Sequence, residues 1–175
     1  MTVSPMTFFK ANKALFNSVV VGLLYLLLFW LRGIGDSPEP LFSMVMLFLP
    51  GITFPISTTY FNVEKESEGK IVLHFLMSVA TYHGGVWLFS AAGRMALAAL
   101  FSGSLGSLVY LLGTKYILKK RLRISSILIT SVLSGMVFIP YAFFDESSLN
   151  VGIAVCLWMI VNGLLLNYAN KMHGH

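Results

Sequence analysis

Charge is scarce in this chain of 175 residues: charged residues make up 11% of it, whereas a soluble domain carries about 25%. Hydrophobic residues make up 57%, and the mean hydropathy is +0.80. This composition excludes a water-soluble globule. It also excludes a disordered chain, which needs low hydrophobicity and high net charge. The sequence therefore predicts an all-α integral membrane protein.

Cysteine and acidic residues are scarce as well. Cys156 is the single cysteine, so a disulfide framework and a multi-cysteine metal site are excluded. The seven carboxylates all fall in or beside predicted loops, so the spans lack the paired acids that membrane enzymes and proton pumps use. We therefore expect no enzymatic activity, no cofactor and no metal site.

Six apolar segments are each long enough to cross a bilayer core, which needs roughly 20 helical residues. A single polytopic domain over residues 1–175 is predicted, as a bundle of six transmembrane helices that follows an interfacial N-terminal helix over residues 1–14. Only Gly93 and Arg94 clearly separate the third span from the fourth, which requires a tight hairpin there. The approximate bounds of the spans are 15–31, 41–61, 71–92, 95–118, 124–144 and 151–170.

The distribution of Lys and Arg predicts the orientation. With a cytoplasmic N-terminus, ten of the twelve basic residues fall on the cytoplasmic side, and only Arg32 and Arg94 fall on the other. Positively charged loops are retained in the cytoplasm. We therefore expect both termini in the cytoplasm and the chain in a bacterial inner membrane.

Two prolines interrupt the second span. Pro50 and Pro55 each remove a backbone donor and clash with the preceding turn, which predicts a kinked helix. Carbonyls freed at such a kink, together with the hydroxyl of Thr53, are suited to contact a solute crossing the membrane. The alternative is a kink that serves packing alone.

The third and sixth spans carry polar side chains at membrane depth. His83 lies near the middle of its span, beside Tyr82 and one turn from Trp87. An ionisable residue there is a functional hypothesis, with the two aromatic rings as flat walls of a solute path. Asn162 is the matching candidate in the sixth span. For both polar residues the alternative is a hydrogen bond to a neighbouring helix.

Small residues recur at helical spacing in the third and fourth spans, which predicts close helix contacts within the subunit or between copies. A homo-oligomer or other membrane subunits are therefore among the expected partners. The residues expected at these contacts are Ser78, Gly85, Ser102, Gly106 and Gly113.

A basic segment joins the fourth and fifth spans on the predicted cytoplasmic side. Each cation near the surface attracts anionic lipid headgroups by about 1 kcal/mol. Alternatively the segment only fixes topology, or it docks an acidic cytoplasmic partner. No aromatic platform or recognition helix accompanies it, so nucleic-acid binding is not expected. The cations are Lys115, Lys119, Lys120, Arg121 and Arg123.

Two functional classes fit these features. The first is a small-solute transport, permeation or substrate-binding membrane unit. In span number, length and cytoplasmic termini the chain resembles the substrate-binding membrane subunits of energy-coupling vitamin importers, a likeness of architecture. The second is an accessory, sensor or immunity-type subunit of a larger membrane assembly, which docks a cytoplasmic partner through residues 115–123.

Overall fold

The structure is a computed structural model that describes residues 12–33, 40–60, 68–91, 95–140, 143 and 148–171. Within these ranges it contains helices and no strand, which confirms the all-helical class. Each predicted span overlaps one helix, whereas the predicted interfacial helix lies almost entirely outside the described residues. The helices are α1 (Lys13–Gly33), α2 (Pro40–Thr58), α3 (Glu68–Ala91), α4 (Ala96–Tyr116), α5 (Ile124–Met136) and α6 (Ser148–Lys171).

Among the residues that the structure describes, three helical stretches are long and apolar enough to cross a membrane. The qualifying stretches are Lys13–Leu31 in α1, Glu68–Leu88 in α3 and Ala96–Tyr116 in α4. Shorter apolar stretches occupy Ile124–Met136 and Gly152–Tyr168.

The bundle is apolar on its outside and partly polar within. Helix α1 exposes Leu23, Leu27 and Trp30 to about half of their full extent, whereas His74 and Asn162 are fully buried. A soluble protein has the reverse distribution of polar groups. Apolar outer faces around a hydrogen-bonded interior are what helices in lipid require.

The helices close into a ring. Each helix packs against the next in sequence, α6 returns to α1, and α2 also touches α6 across the centre. The α1–α6 and α4–α5 pairs are the most extensive. At the first of these, the α-carbon of Gly22 faces the backbone and Sγ of Cys156, so a side chain there would crowd the partner helix.

Consecutive helices run antiparallel. Asn167 Nδ2 donates to Asn12 Oδ1 at 3.0 Å, so the end of α6 meets the start of α1. Asn17 Nδ2 donates to the carbonyl of Ser57, which brings the end of α2 to the same end of the bundle. The aromatic core lies between α2, α4 and α6, where the ring of Phe54 is 5.5 Å from Tyr110 and 5.1 Å from Trp158.

One element differs from the sequence expectation in detail. Helix α2 runs through Pro50 and Pro55 as one helix, and the kink stays a prediction. Helix α5 has 13 residues and ends at Met136, shorter than the segment 124–144. Tight turns follow, with Phe138 N–H donating to the carbonyl of Gly135, because Pro140 lacks a donor and disfavours helix at the residue before it. Helix α5, with its 13 residues, is therefore about 20 Å long.

Candidate functional site

A first buried cluster, the His74 cluster, consists of Tyr60, His74, Tyr110 and Thr114. His74 Nδ1 lies 2.9 Å from Tyr60 Oη, and His74 Nε2 lies 3.0 Å from Thr114 Oγ1. Thr114 donates its only hydroxyl proton to the carbonyl of Tyr110, at 2.9 Å. It must therefore accept from Nε2–H, which leaves Nδ1 to accept the Tyr60 hydroxyl proton. Both ring nitrogens have partners.

The same cluster is tightened by its aromatic rings. The His74 ring centroid is 5.6 Å from that of Tyr60 and 5.2 Å from that of Tyr110. The Tyr110 hydroxyl also bonds Thr59 Oγ1 at 2.5 Å. The end of α2, the start of α3 and the end of α4 are thereby joined by a closed set of hydrogen bonds.

A second buried cluster, the Asn162 cluster, consists of Ser107, Ser134, Trp158 and Asn162. It joins α4, α5 and α6 at the middle of the bundle. Asn162 Nδ2 lies 3.1 Å from Ser107 Oγ, 2.9 Å from Ser134 Oγ and 2.9 Å from the carbonyl of Trp158. Trp158 Nε1 donates to Ser107 Oγ at 2.8 Å.

The amide oxygen of Asn162 differs from the amide nitrogen in its surroundings. Oδ1 is buried and receives no hydrogen bond from any described residue. The amide cannot be turned over to repair this, because the carbonyl of Trp158 only accepts and so must face the amide nitrogen. A buried acceptor without a donor costs about 1–3 kcal/mol. Oδ1 is therefore an acceptor available to a bound donor.

Aromatic rings and a close helix crossing adjoin this cluster. The rings of Tyr82 and Trp158 are 6.1 Å apart. Gly51 of α2 lies against Tyr82, such that a β-carbon on Gly51 would come within 3.0 Å of the Tyr82 β-carbon. Thr53 Oγ1 lies 3.3 Å from Tyr25 Oη. Tyr82 thus lies between Gly51 of α2 and Trp158 of the Asn162 cluster.

The structure buries the predicted solute-path residues to three different extents. Pro50, Pro55 and Asn162 are fully buried, and Tyr82 and Thr53 are partly buried. Trp87 is 72% exposed and points away from the bundle. His83 is partly buried, with its ring centroid 5.7 Å from that of Tyr82.

Four of the predicted packing residues lie at helix contacts. Ser78 Oγ donates to the carbonyl of Gly51 at 3.3 Å. Gly85 faces the carbonyl of Ser102, and Gly113 faces Met77 and His74. A β-carbon at Gly106 would meet no described atom within 4 Å.

The basic segment is divided by the structure. Lys115 turns inward, where its Nζ donates to the carbonyl of Leu122 at 2.5 Å. Lys119, Arg121 and Arg123 are exposed, and Lys120 is partly buried.

Sequence reasoning did not single out Trp158 or Ser134. Trp158 precedes Asn162 by four residues, which places both on one face of α6, so a search for neighbours of the buried amide would have found it. Within the described ranges, no three His, Cys, Asp or Glu side chains are placed to hold a metal ion. Comparison with models of protein families, with characterised proteins and with solved structures finds no match.

Proposed function

We propose that the protein is a six-span inner-membrane bundle, with both termini in the cytoplasm, that binds and translocates a small neutral solute at the Asn162 cluster. The observation that carries this proposal is the buried Asn162 Oδ1, which lacks a described donor. A solute N–H or O–H would supply that donor, and the rings of Trp158 and Tyr82 would offer flat walls beside it.

The composition of the interior supports a neutral solute. The buried polar side chains of the described core are Ser, Thr, His and Asn, with no carboxylate, Lys or Arg among them. A charged solute would find no opposite charge there, and an unpaired ion in such a medium is costly.

The His74 cluster supports a gated carrier or a binding unit over an open pore. It fastens α2, α3 and α4 together at the end of the bundle where Asn12 meets Asn167. A solute held at Asn162 would need those hydrogen bonds to open before leaving at that end.

The test measures solute flux into proteoliposomes. Stopped-flow light scattering monitors the entry of urea, acetamide and glycerol. The Asn162→Leu variant removes the acceptor with little change in volume. Asn167→Leu is the matched control, because it removes the same group from the same helix where Asn167 already bonds Asn12. Loss of one hydrogen bond to the solute is expected to weaken binding by about tenfold.

We expect wild-type protein and Asn167→Leu to conduct at least one solute faster than empty liposomes, and Asn162→Leu to lose most of that additional flux. A solute that binds without crossing should raise the Tm of the first two proteins, and Asn162→Leu should need about tenfold more solute for the same rise. Flux and Tm that are indifferent to Asn162 for all three solutes would contradict the proposal.

A further inference from the structure

The segment that connects α4 to α5 presents three cations outward. Lys119, Arg121 and Arg123 are exposed, whereas Leu118 and Leu122 are each 3% exposed. The residues between the two helices thus alternate between buried anchors and exposed cations. The three exposed cations therefore lie on the outside of the connection, and the two leucines anchor it in the bundle.

The backbone holds this arrangement in place. Ile117 N–H donates to the carbonyl of Gly113 at 2.8 Å, and Lys120 N–H donates to the carbonyl of Thr114 at 3.2 Å. Lys119 adopts the left-handed conformation, with φ of 52°, where the chain reverses. Lys115 Nζ, on the carbonyl of Leu122, braces the segment from within. The backbone that carries the outward cations is therefore held in place before any partner arrives.

The position of the cations along the helix axes indicates the kind of partner. Tyr116, at the end of α4, is 65% exposed, and Ile124, at the start of α5, is 44% exposed. Both belong to the apolar outer faces of the helices, and a tyrosine at this level is typical of the border between hydrocarbon and headgroups. The cations lie directly beyond that border. A partner that fits has an apolar part beside Tyr116 and an anionic part beside the cations.

We propose that Lys119, Arg121 and Arg123 bind the headgroup of an anionic phospholipid whose acyl chains lie against Tyr116 and Ile124. This proposal does not depend on a solute at Asn162. An acidic cytoplasmic protein is the competing partner, but it would have to reach cations that lie at the level of the headgroups.

The test compares phosphatidylglycerol with phosphatidylcholine. Dissociation constants for single lipids are measured by native mass spectrometry of the full chain in detergent micelles. Orientation in the cell does not enter, because the lipid reaches both ends of the purified protein. The test variant is Arg121→Gln/Arg123→Gln. The matched control is Lys13→Gln/Lys70→Gln, which removes two cations from the first turns of α1 and α3 at the same end of the bundle.

Each surface cation contributes about fivefold to anionic lipid affinity, so the test variant should lose roughly 30-fold for phosphatidylglycerol. The control should lose far less, and phosphatidylcholine binding should change in neither. Arg121→Lys/Arg123→Lys keeps the charges and should retain the preference, which separates loss of a site from loss of folded protein.

Equal loss in the test variant and the control would overturn the proposal, because the effect would then be one of net charge. Polyglutamate serves as a probe for an acidic protein partner. The proposal would also be overturned if the test variant kept its phosphatidylglycerol affinity but lost polyglutamate binding, since the segment would then be a protein-docking surface.

Discussion

The His74 and Asn162 clusters are both buried, both join three helices, and both draw on α4, yet they differ in how their hydrogen bonds close. In the first, each nitrogen of the imidazole has a partner at 3.0 Å or less. In the second, three contacts fall on one end of the Asn162 amide and none from a described residue on the other. A polar network with all its hydrogen bonds made holds helices in register, whereas one with an unused acceptor can hydrogen-bond a ligand.

Helix α4 connects the two clusters. Ser107 and Thr114 are seven residues apart, which is two turns, so both lie on the same face of the helix. A shift of α4 that opens the His74 cluster would therefore also move Ser107 against Asn162 and Trp158. Opening one end of the bundle and changing the central site are coupled by this geometry.

The largest expected effect is on the closed cluster. His74→Ala should lower the free energy of unfolding by about 3 kcal/mol, because it leaves a cavity and removes the partners of the Tyr60 and Thr114 hydroxyls. The measurement is reversible unfolding in mixed micelles. His83→Ala is the control, and it should cost less, since His83 is only partly buried. Equal costs at the two histidines would show that the closed network adds nothing beyond lost volume.

A smaller effect is expected where α4 meets α5. A β-carbon on Gly135 would overlap the carbonyl of Leu100 and Oγ of Ser104, and overpacking of this kind costs about 1–3 kcal/mol. Because Gly135 adjoins Ser134, Gly135→Ala should disturb the Asn162 cluster and spare the His74 cluster.

Gly106→Ala is the matched control for that change. The added β-carbon at Gly106 would meet no described atom within 4 Å. Replacing a helical glycine by alanine raises the free energy of unfolding by up to about 1 kcal/mol. Thermal unfolding of the two variants distinguishes them by sign. Destabilisation by Gly106→Ala would place an unseen neighbour at that face, such as a second copy of the chain.

The smallest effect on stability is expected at the open cluster. Asn162→Leu removes hydrogen bonds to Ser107 and Ser134, but it also removes the unsatisfied acceptor, so the net change should be about 1 kcal/mol or less. The same unfolding measurement applies, beside the flux assay. A loss as large as that of His74→Ala would mean that Oδ1 already has a partner and that the two clusters are alike.

Sequence patterns predicted the helices better than they predicted the site. Gly93 and Arg94 indicated a break between two helices. Helix α3 ends at Ala91 and helix α4 begins at Ala96. Tyr82 and Trp87 were expected as two walls of one solute path, but they are five residues apart and so about 140° apart around the helix. His83 is one turn from Trp87, whereas Tyr82 faces Trp158.

The partners of His74 could not be predicted from sequence. Tyr60 and Thr114 are 14 and 40 residues away from it. Their meeting depends on how far each helix extends and how the helices are rotated against one another. Local patterns fix a residue's face on its own helix, and they carry no information on which turn of a neighbour that face will meet.

The ring of helices also bears on biosynthesis. The hydrogen bond between Asn12 and Asn167 joins residues 155 positions apart, and α1 packs more extensively on α6 than on α2. At about 5–20 residues per second, a ribosome needs roughly 8–30 seconds to make the chain between them. During that interval α1 lacks its contacts with α6, so Ser18 and Asn12 are not yet covered by that helix. A factor that shields the α6-facing side of α1 during synthesis is therefore expected to raise the yield of folded protein.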